Sequence, residues 1–365
     1  MQCKLTVITP VYNAEGLLPA ALASLQAQTL GFENLCWLLA DDCSTDGSPA
    51  LMARWAQQYP NVRVLRTPRN SGSAAAPRNL ALGQVDTPYV MFLDNDDTFA
   101  PDGCRALLAA LEATGADLAG GYFQDVDEAG APLNERSPSC GQMADRLLRL
   151  PEELEAACAV QSIFWCKAYR MDLIRQNAVT FPADTLMEDS VFYAKYLTAA
   201  RSFAYTDALV YRFRARAGSL SRTGSADYML SRAAGYRHLF AVCAGAPALL
   251  RHNLENVAAH FLPLAFTDAV PAARRPALMR AWRQVAAYSL EAGLCPDDLL
   301  LRRLMELCAA GRVDAAVAVG ELLAPWRSEI ARRDELFLAA DRNWKAVCAE
   351  NETLKARLAA APAGC

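Results

Sequence analysis

Tyr89-Val90-Met91-Phe92-Leu93-Asp94-Asn95-Asp96-Asp97 is the stretch that decides the fold. Five apolar residues, short enough for one buried strand, run directly into three carboxylates. Three runs of the same kind come earlier: Leu5-Thr6-Val7-Ile8-Thr9, Leu35-Cys36-Trp37-Leu38-Leu39-Ala40 and Val62-Arg63-Val64-Leu65. Between them, residues 16–28, 48–59 and 74–85 have helical spacing, the first with Leu17, Leu18, Leu22 and Leu25 on one face. Strands alternating with helices of about 10–15 residues predict an α/β fold of βαβ units. The expected sheet is Rossmann-like and mostly parallel, with helices on both faces. Ligands in such sheets bind beyond the carboxyl ends of the strands, so chemistry is to be sought immediately after each run.

The chain has 365 residues, 53% hydrophobic and 21% charged, with a formal net charge of −4. That is ample for a sizeable core and excludes a disordered or collagen-like chain. The acidic balance argues against nucleic acid as a partner, because phosphate binding needs clustered Lys and Arg. Nowhere do about 18 apolar residues run together, so no membrane-spanning helix is expected. Met1-Gln2-Cys3-Lys4 leads straight into a strand-like run with no export signal, and a cytoplasmic location is the expectation. The twelve cysteines are scattered with no Cys-x-x-Cys pair, and the three histidines (His238, His252 and His260) all come late. Reduced, buried thiols fit this pattern better than disulfides or a zinc site. A cysteine nucleophile would have to draw its histidine from the C-terminal part.

Four segments carry candidate chemistry. In Thr9-Pro10-Val11-Tyr12-Asn13, the proline is expected to end the strand and set a ring at the mouth of the sheet. Such a ring can stack on a nucleobase, although taken alone a strand-terminating turn explains the segment better. In Ala40-Asp41-Asp42-Cys43-Ser44-Thr45-Asp46-Gly47-Ser48, the early aspartates can accept from a base N–H or a ribose hydroxyl. Asp46 or Ser48 is expected to cap the next helix. The carboxylates of Leu93-Asp94-Asn95-Asp96-Asp97 repel one another unless a cation sits among them. In extended chain, Asp94 and Asp96 point the same way, and an all-oxygen site suits Mg²⁺ or Mn²⁺ completed by substrate phosphates and water. The fourth segment, Met187-Glu188-Asp189-Ser190, places an acid pair at a helix start, where dipole compensation alone would explain it.

In order and spacing, these segments resemble the inverting family 2 glycosyltransferases of GT-A fold. Further matching pieces are Asn70-Ser71-Gly72, Pro77-Arg78-Asn79, Phe181-Pro182 and Tyr211-Arg212-Phe213-Arg214 with Ser219 and Ser221. The resemblance covers about residues 4–222. It implies that Tyr12 and Asp42 hold the nucleobase, with Pro10, Asn13, Asn70 and Asn95 in the nucleotide-sugar site. Arg78 would face the base or diphosphate, and Arg212 and Arg214 the leaving diphosphate; for those two, a strand with outward-facing arginines explains the pattern equally well. Asp94 would lie by the ribose and share the metal with Asp96, its main ligand, while Asp97 supports them. Asp189 would be the general base, with Glu188 beside it on the acceptor. The implied cofactor is Mn²⁺ or Mg²⁺, and the implied donor a nucleotide-diphosphate sugar, UDP-linked as the first choice. The acceptor would be a glycan or a lipid-linked glycan in cell-surface polysaccharide or glycoconjugate synthesis. Cys43 stands where the family often has Gly or a polar residue. The Gln-x-x-Arg-Trp motif of processive members is absent, so single-sugar transfer is implied.

Beyond about residue 223 the sequence turns Ala-, Leu- and Arg-rich with helical spacing, and prolines mark helix ends. The expected division is a catalytic domain at 1–222, an all-α C-terminal region at 223–330, and a terminal amphipathic helix and tail at 331–365. Arg274, Arg275, Arg280 and Arg283 read as a basic helical patch. A solvated face explains the patch better than peripheral contact with the inner face of a membrane. The terminal helix offers a route to a homo-oligomer, although its heptads are few and imperfect. A sugar-nucleotide pyrophosphorylase would need a Gly-rich loop after the first strand, where this chain has Pro10-Val11-Tyr12-Asn13. A non-catalytic scaffold would have no use for both acid clusters.

Overall fold

The computed structural model describes residues 3–137, 145–160, 163–214, 225–254, 265–266, 270–295 and 299–322. The βαβ succession comprises β1 (Leu5–Val11), α1 (Leu18–Gln26), β2 (Leu35–Asp41), α2 (Ser48–Gln58), β3 (Val62–Arg66), α3 (Ala75–Leu82) and β4 (Tyr89–Phe92). There follow β5 (Thr98–Phe99), α4 (Gly103–Thr114), β6 (Leu118–Val126), β7 (Arg146–Arg149), α5 (Leu154–Val160), β8 (Lys167–Arg170), α6 (Met171–Gln176), α7 (Glu188–Ala199) and β9 (Ser202–Arg214). Helices then take over: α8 (Ala226–Val242), α9 (Pro247–Leu254), α10 (Arg275–Glu291), α11 (Leu299–Ala309) and α12 (Val313–Leu322).

The strands form one sheet in the order β3-β2-β1-β4-β8-β6-β9-β5, with β7 also paired to β9. The first four strands are parallel, as the alternation predicts. Beyond β4 the sheet is mixed: β8 runs antiparallel to both β4 and β6, while β6 and β9 are parallel. β1 is buried along its whole length, as expected of a strand covered on both faces. On one of those faces Trp37 of β2 stacks on Trp55 of α2, with centroids 5.7 Å apart, and its indole N–H donates to Thr9 Oγ1 at 2.9 Å. This pair fixes α2 on the sheet and satisfies the polar atom that burying a tryptophan brings with it.

Local structure departs from the sequence pattern in places. Pro10 does not end β1; it pairs with Ala40, and the strand continues to Val11. β1 pairs with β4 only as far as Ile8, and the Pro10 carbonyl instead accepts from Asn95 Nδ2 at 3.0 Å. The proline's missing N–H therefore faces the side where β4 has already left the sheet, and no ladder bond is lost. Neither Asp46 nor Ser48 is the N-cap of α2: that residue is Gly47, and a proline lies in the first turn. Asp46 and Ser48 instead accept from the backbone N–H groups of Glu15 and Ala14, tying the β1–α1 loop to the β2–α2 loop.

In the apolar stretch from residue 163 to 169, the strand begins at Lys167. Phe164 and Trp165 are spent on the aromatic core, Trp165 stacking on Tyr211 with centroids 4.2 Å apart. Upstream, β7 is four residues held by antiparallel pairing to β9. Pairing of that kind is long-range and leaves no local period to read.

The region after β9 is all-helical among its described residues. α8 packs on α7 and on α10, and α11 and α12 pack on α10. Trp282 Nε1 donates to Met229 O at 3.1 Å, joining α10 to α8 within the core. The basic patch does not survive as one surface. Arg275 is buried against Glu321, Arg274 pairs with Asp227 at 2.5 Å, and only Arg280 and Arg283 are exposed. Ser219, Ser221 and the terminal helix at 331–365 lie outside the described residues. Among the described residues, no helix is long and apolar enough to cross a membrane.

Candidate active site

The carboxyl ends of β1, β2 and β4 meet at one edge of the sheet, and the sharp turns there set the site. Asn13 and Cys43 both take a positive φ, +48° and +60°, as the chain leaves β1 and β2. That conformation costs a non-glycine residue about 1 kcal/mol. Tyr12 stands between these turns with half its surface exposed, a free aromatic face at the mouth of the sheet.

Asp42, in contrast, is buried. Its Oδ1 accepts from Thr67 Oγ1 at 2.8 Å, and its Oδ2 accepts from the Ser71 N–H at 2.9 Å and the Ser71 hydroxyl at 2.8 Å. Asn70 Nδ2 donates to the Asp42 carbonyl at 3.0 Å. Across the cleft, Asn13 Oδ1 accepts from the Thr45 N–H at 2.8 Å. Asn13, Asn70 and Asn95 thus spend amide groups on bracing the loops that shape the pocket.

Arg78 is where the structure says most beyond the sequence. It sits on α3 at 4% exposure, with its guanidinium 4.7 Å from the Phe164 ring and 5.3 Å from the Phe181 ring. Nη2 donates to Asp94 Oδ1 at 2.6 Å and Nη1 to Glu188 Oε1 at 3.0 Å. Burial opposes the charge, but Asp94 and then Glu188 outweigh it and keep the guanidinium charged. Arg78 is therefore a bridge between the turn after β4 and the start of α7. Asn79 supports it by clamping the Phe181 backbone on both its N–H and its carbonyl.

Lysine cannot span two carboxylates as a planar fork does. Arg78→Lys should leave one of them without its donor and cost about 2 kcal/mol of stability, read from urea denaturation. Unchanged stability would contradict the bridge.

The acid pair opens α7. Glu188 is buried, and its carboxyl is pushed up from the usual range by that burial, with Arg78 opposing the shift and Asp189 adding to it. Asp189 is partly exposed, and its Oδ1 accepts from the Ser190 N–H at 2.6 Å. Among the described residues no donor reaches its Oδ2, which leaves a carboxylate oxygen available for a proton.

Asp97 is buried directly beneath the turn after β4. Its Oδ2 accepts from the Tyr211 hydroxyl at 2.8 Å, its Oδ1 accepts from the Arg214 N–H at 2.7 Å, and Tyr211 Oη also accepts from the Asp94 N–H at 3.1 Å. Tyr211 thus locks the turn from below. The motif Tyr211-Arg212-Phe213-Arg214 contained this residue without revealing the role; its period-2 aromatic/basic alternation was the signal. Tyr211→Phe keeps the volume and removes both bonds, so a loss of about 1–3 kcal/mol is expected in thermal denaturation. On the same strand, the Nε atoms of Arg212 and Arg214 are buried with no hydrogen-bond partner among the described residues.

The donor chemistry at this turn fits a hard divalent cation. Asp94 and Asp96 are partly exposed carboxylates. The Asp97 carboxyl is pushed well above its usual range, first by burial and then by the charges of Asp96 and Asp94, a crowding that a cation would relieve. Among the described residues, no three His, Cys, Asp or Glu gather into a metal-holding cluster. The described residues thus offer two carboxylates at most, and diphosphate and water would complete the shell. The nine described cysteines are free thiols, and burial pushes those of Cys243 and Cys308 up to about 12. Thiols raised in this way are poor nucleophiles.

Parallel strands that end on an acidic turn, in a mixed sheet followed by helices, form a GT-A fold. The structure of Staphylococcus aureus TarS residues 1–349 in complex with UDP superposes with a TM-score of 0.69 at 22% identity, covering 87% of this chain and 90% of that one. Residues 6–172 match the model of glycosyl transferase family 2. A poly(ribitol-phosphate) beta-glucosyltransferase from Bacillus spizizenii is 28% identical over 193 residues, which is 52% of this chain and 28% of the relative. The poly(ribitol-phosphate) beta-N-acetylglucosaminyltransferase TarS of Staphylococcus aureus is 27% identical over 220 residues, 59% of this chain and 36% of that protein. The chain thus matches about a third of the length of these curated relatives.

Proposed function

We propose that the chain transfers one sugar, with inversion, from a UDP-sugar to a hydroxyl of a phosphodiester-linked cell-wall polymer. The observation that carries this reading is the Arg78 bridge. It sets the acidic turn after β4 and the acid pair of α7 one guanidinium apart, as transfer between a bound donor and an adjacent acceptor requires. UDP as the carrier and a poly(ribitol-phosphate)-like acceptor follow from the relatives, one of them solved with UDP and two named for that polymer.

In this mechanism the Tyr12 ring stacks on the base, and Asp42 accepts from it with the lone pair its loop bonds leave over. Asp94 and Asp96 would hold Mn²⁺ or Mg²⁺, which when bound neutralises charge on a departing nucleoside diphosphate. Arg212 and Arg214 offer further positive charge on that side. Asp189 Oδ2 takes the acceptor's proton as its oxygen attacks the anomeric carbon from the face opposite the diphosphate. Glu188, held by Arg78, orients the acceptor hydroxyl beside it. The catalytic unit would end near residue 222, between β9 and α8.

A panel of UDP-, GDP- and TDP-sugars, with poly(ribitol phosphate) present and scored by released nucleoside diphosphate, tests this function. Release from UDP-sugars that rises with acceptor is expected. No release from any donor would instead favour a binding or scaffold role.

A further inference from the structure

The two arginines left exposed when the basic patch breaks up, Arg280 and Arg283 of α10, converge with Arg237 of α8 on a concavity of about 450 Å³. Gln284, Ala281, Ala287 and Ala309 complete its lining, and among the described residues no carboxylate lines it. Arg283 is held in place. Its Nε donates to the Ala309 carbonyl at 3.3 Å, and its guanidinium lies against Gly311 so closely that a Cβ there would meet Cζ at 3.2 Å. Gly311 has φ +70°, so glycine is favoured at that turn on two counts. Three like charges around one hollow repel one another, and an anion that enters is bound by all of them.

The pocket and the acid pair lie against the same helix. Gly235 of α8 packs against Met187, the residue before Glu188, so closely that a Cβ would come within 2.6 Å of the Met187 Cβ. Arg237 is two residues further along and so points to the other side of α8. A helix is about 10–12 Å across, a span that one extended chain can bridge.

We infer that the Arg237–Arg280–Arg283 pocket binds phosphate groups of the acceptor chain, holding it one helix width from the residue that receives the sugar. This rests on the proposed function for the identity of the acceptor, and its ligand chemistry is the phosphodiester. Small alanine side chains between the arginines offer nothing to insert into a bilayer, which favours a soluble phosphodiester chain over a membrane surface.

The test is fluorescence anisotropy of a labelled poly(ribitol phosphate) oligomer with the full chain and with Arg237→Gln/Arg280→Gln. Both positions are exposed, so the fold is retained. At least tenfold weaker binding is expected, with the slope of log affinity against log salt shallower by about 1.4 for two lost phosphate contacts. Release of UDP from a UDP-sugar without acceptor should be unchanged. Equal affinity in the variant, or no binding by the wild type, would overturn the inference. So would a loss confined to vesicles of anionic phospholipid, which would make the face a membrane contact. UDP affinity measured on the same proteins separates the two ideas: no UDP binding alongside arginine-dependent oligomer binding would count against the proposed donor and not against this pocket.

Discussion

Asp189→Asn should lower kcat by about 10²–10⁴, the range expected when a positioned base is removed, while UDP binding stays unchanged. The substitution preserves shape, and the side chain is partly exposed at the first turn of α7, so little stability is at stake. What changes is Oδ2, which no donor among the described residues reaches. The amide nitrogen that takes its place donates hydrogen bonds and cannot take a proton. Initial rates at saturating donor and acceptor, set beside calorimetric UDP titration, separate the two effects. A variant that loses UDP affinity together with rate would show that Asp189 belongs to the donor site.

Asp96→Ala should fail differently. It removes one of the two partly exposed carboxylates of the turn after β4 and leaves the Asp94–Arg78 contact in place. Metal-dependent UDP binding should be lost with transfer, an effect of several kcal/mol on a leaving group that carries negative charge. The fold should persist, because Asp97 and Tyr211 lock this turn from beneath. Melting temperature and UDP affinity, measured together with and without Mn²⁺, check this. A variant that melts early would mean the residue supports the turn and does not bind the donor.

The parallel half of the sheet was legible because each strand there is a short apolar run bounded by helical period, a local signal. β5, β7 and the true extent of β8 were not, since two to four residues that pair across the chain carry no period of their own. The positions of Tyr12 and of the acidic residues at strand ends followed from the rule that such sheets bind ligands there. The function of Arg78 did not follow. Its motif suggested a cation for the base or the diphosphate, but the structure spends both terminal nitrogens on Asp94 and Glu188, residues 16 and 110 positions away. Asn13 and Asn70 show the same limit: a motif fixes a residue's neighbourhood, and only the fold determines which loop its amide braces. The basic patch on α10 was read from spacing alone, and burial of Arg275 against Glu321 broke it.

Titration of UDP into the wild-type protein by calorimetry, with Mn²⁺ and then with a chelator, tests the central claim most directly: that the turn after β4 grips a nucleotide diphosphate through a divalent ion. Tight binding that disappears on chelation, is absent in Asp96→Ala and survives in Asp189→Ala is the predicted result. UDP affinity indifferent to both chelator and Asp96→Ala would contradict it.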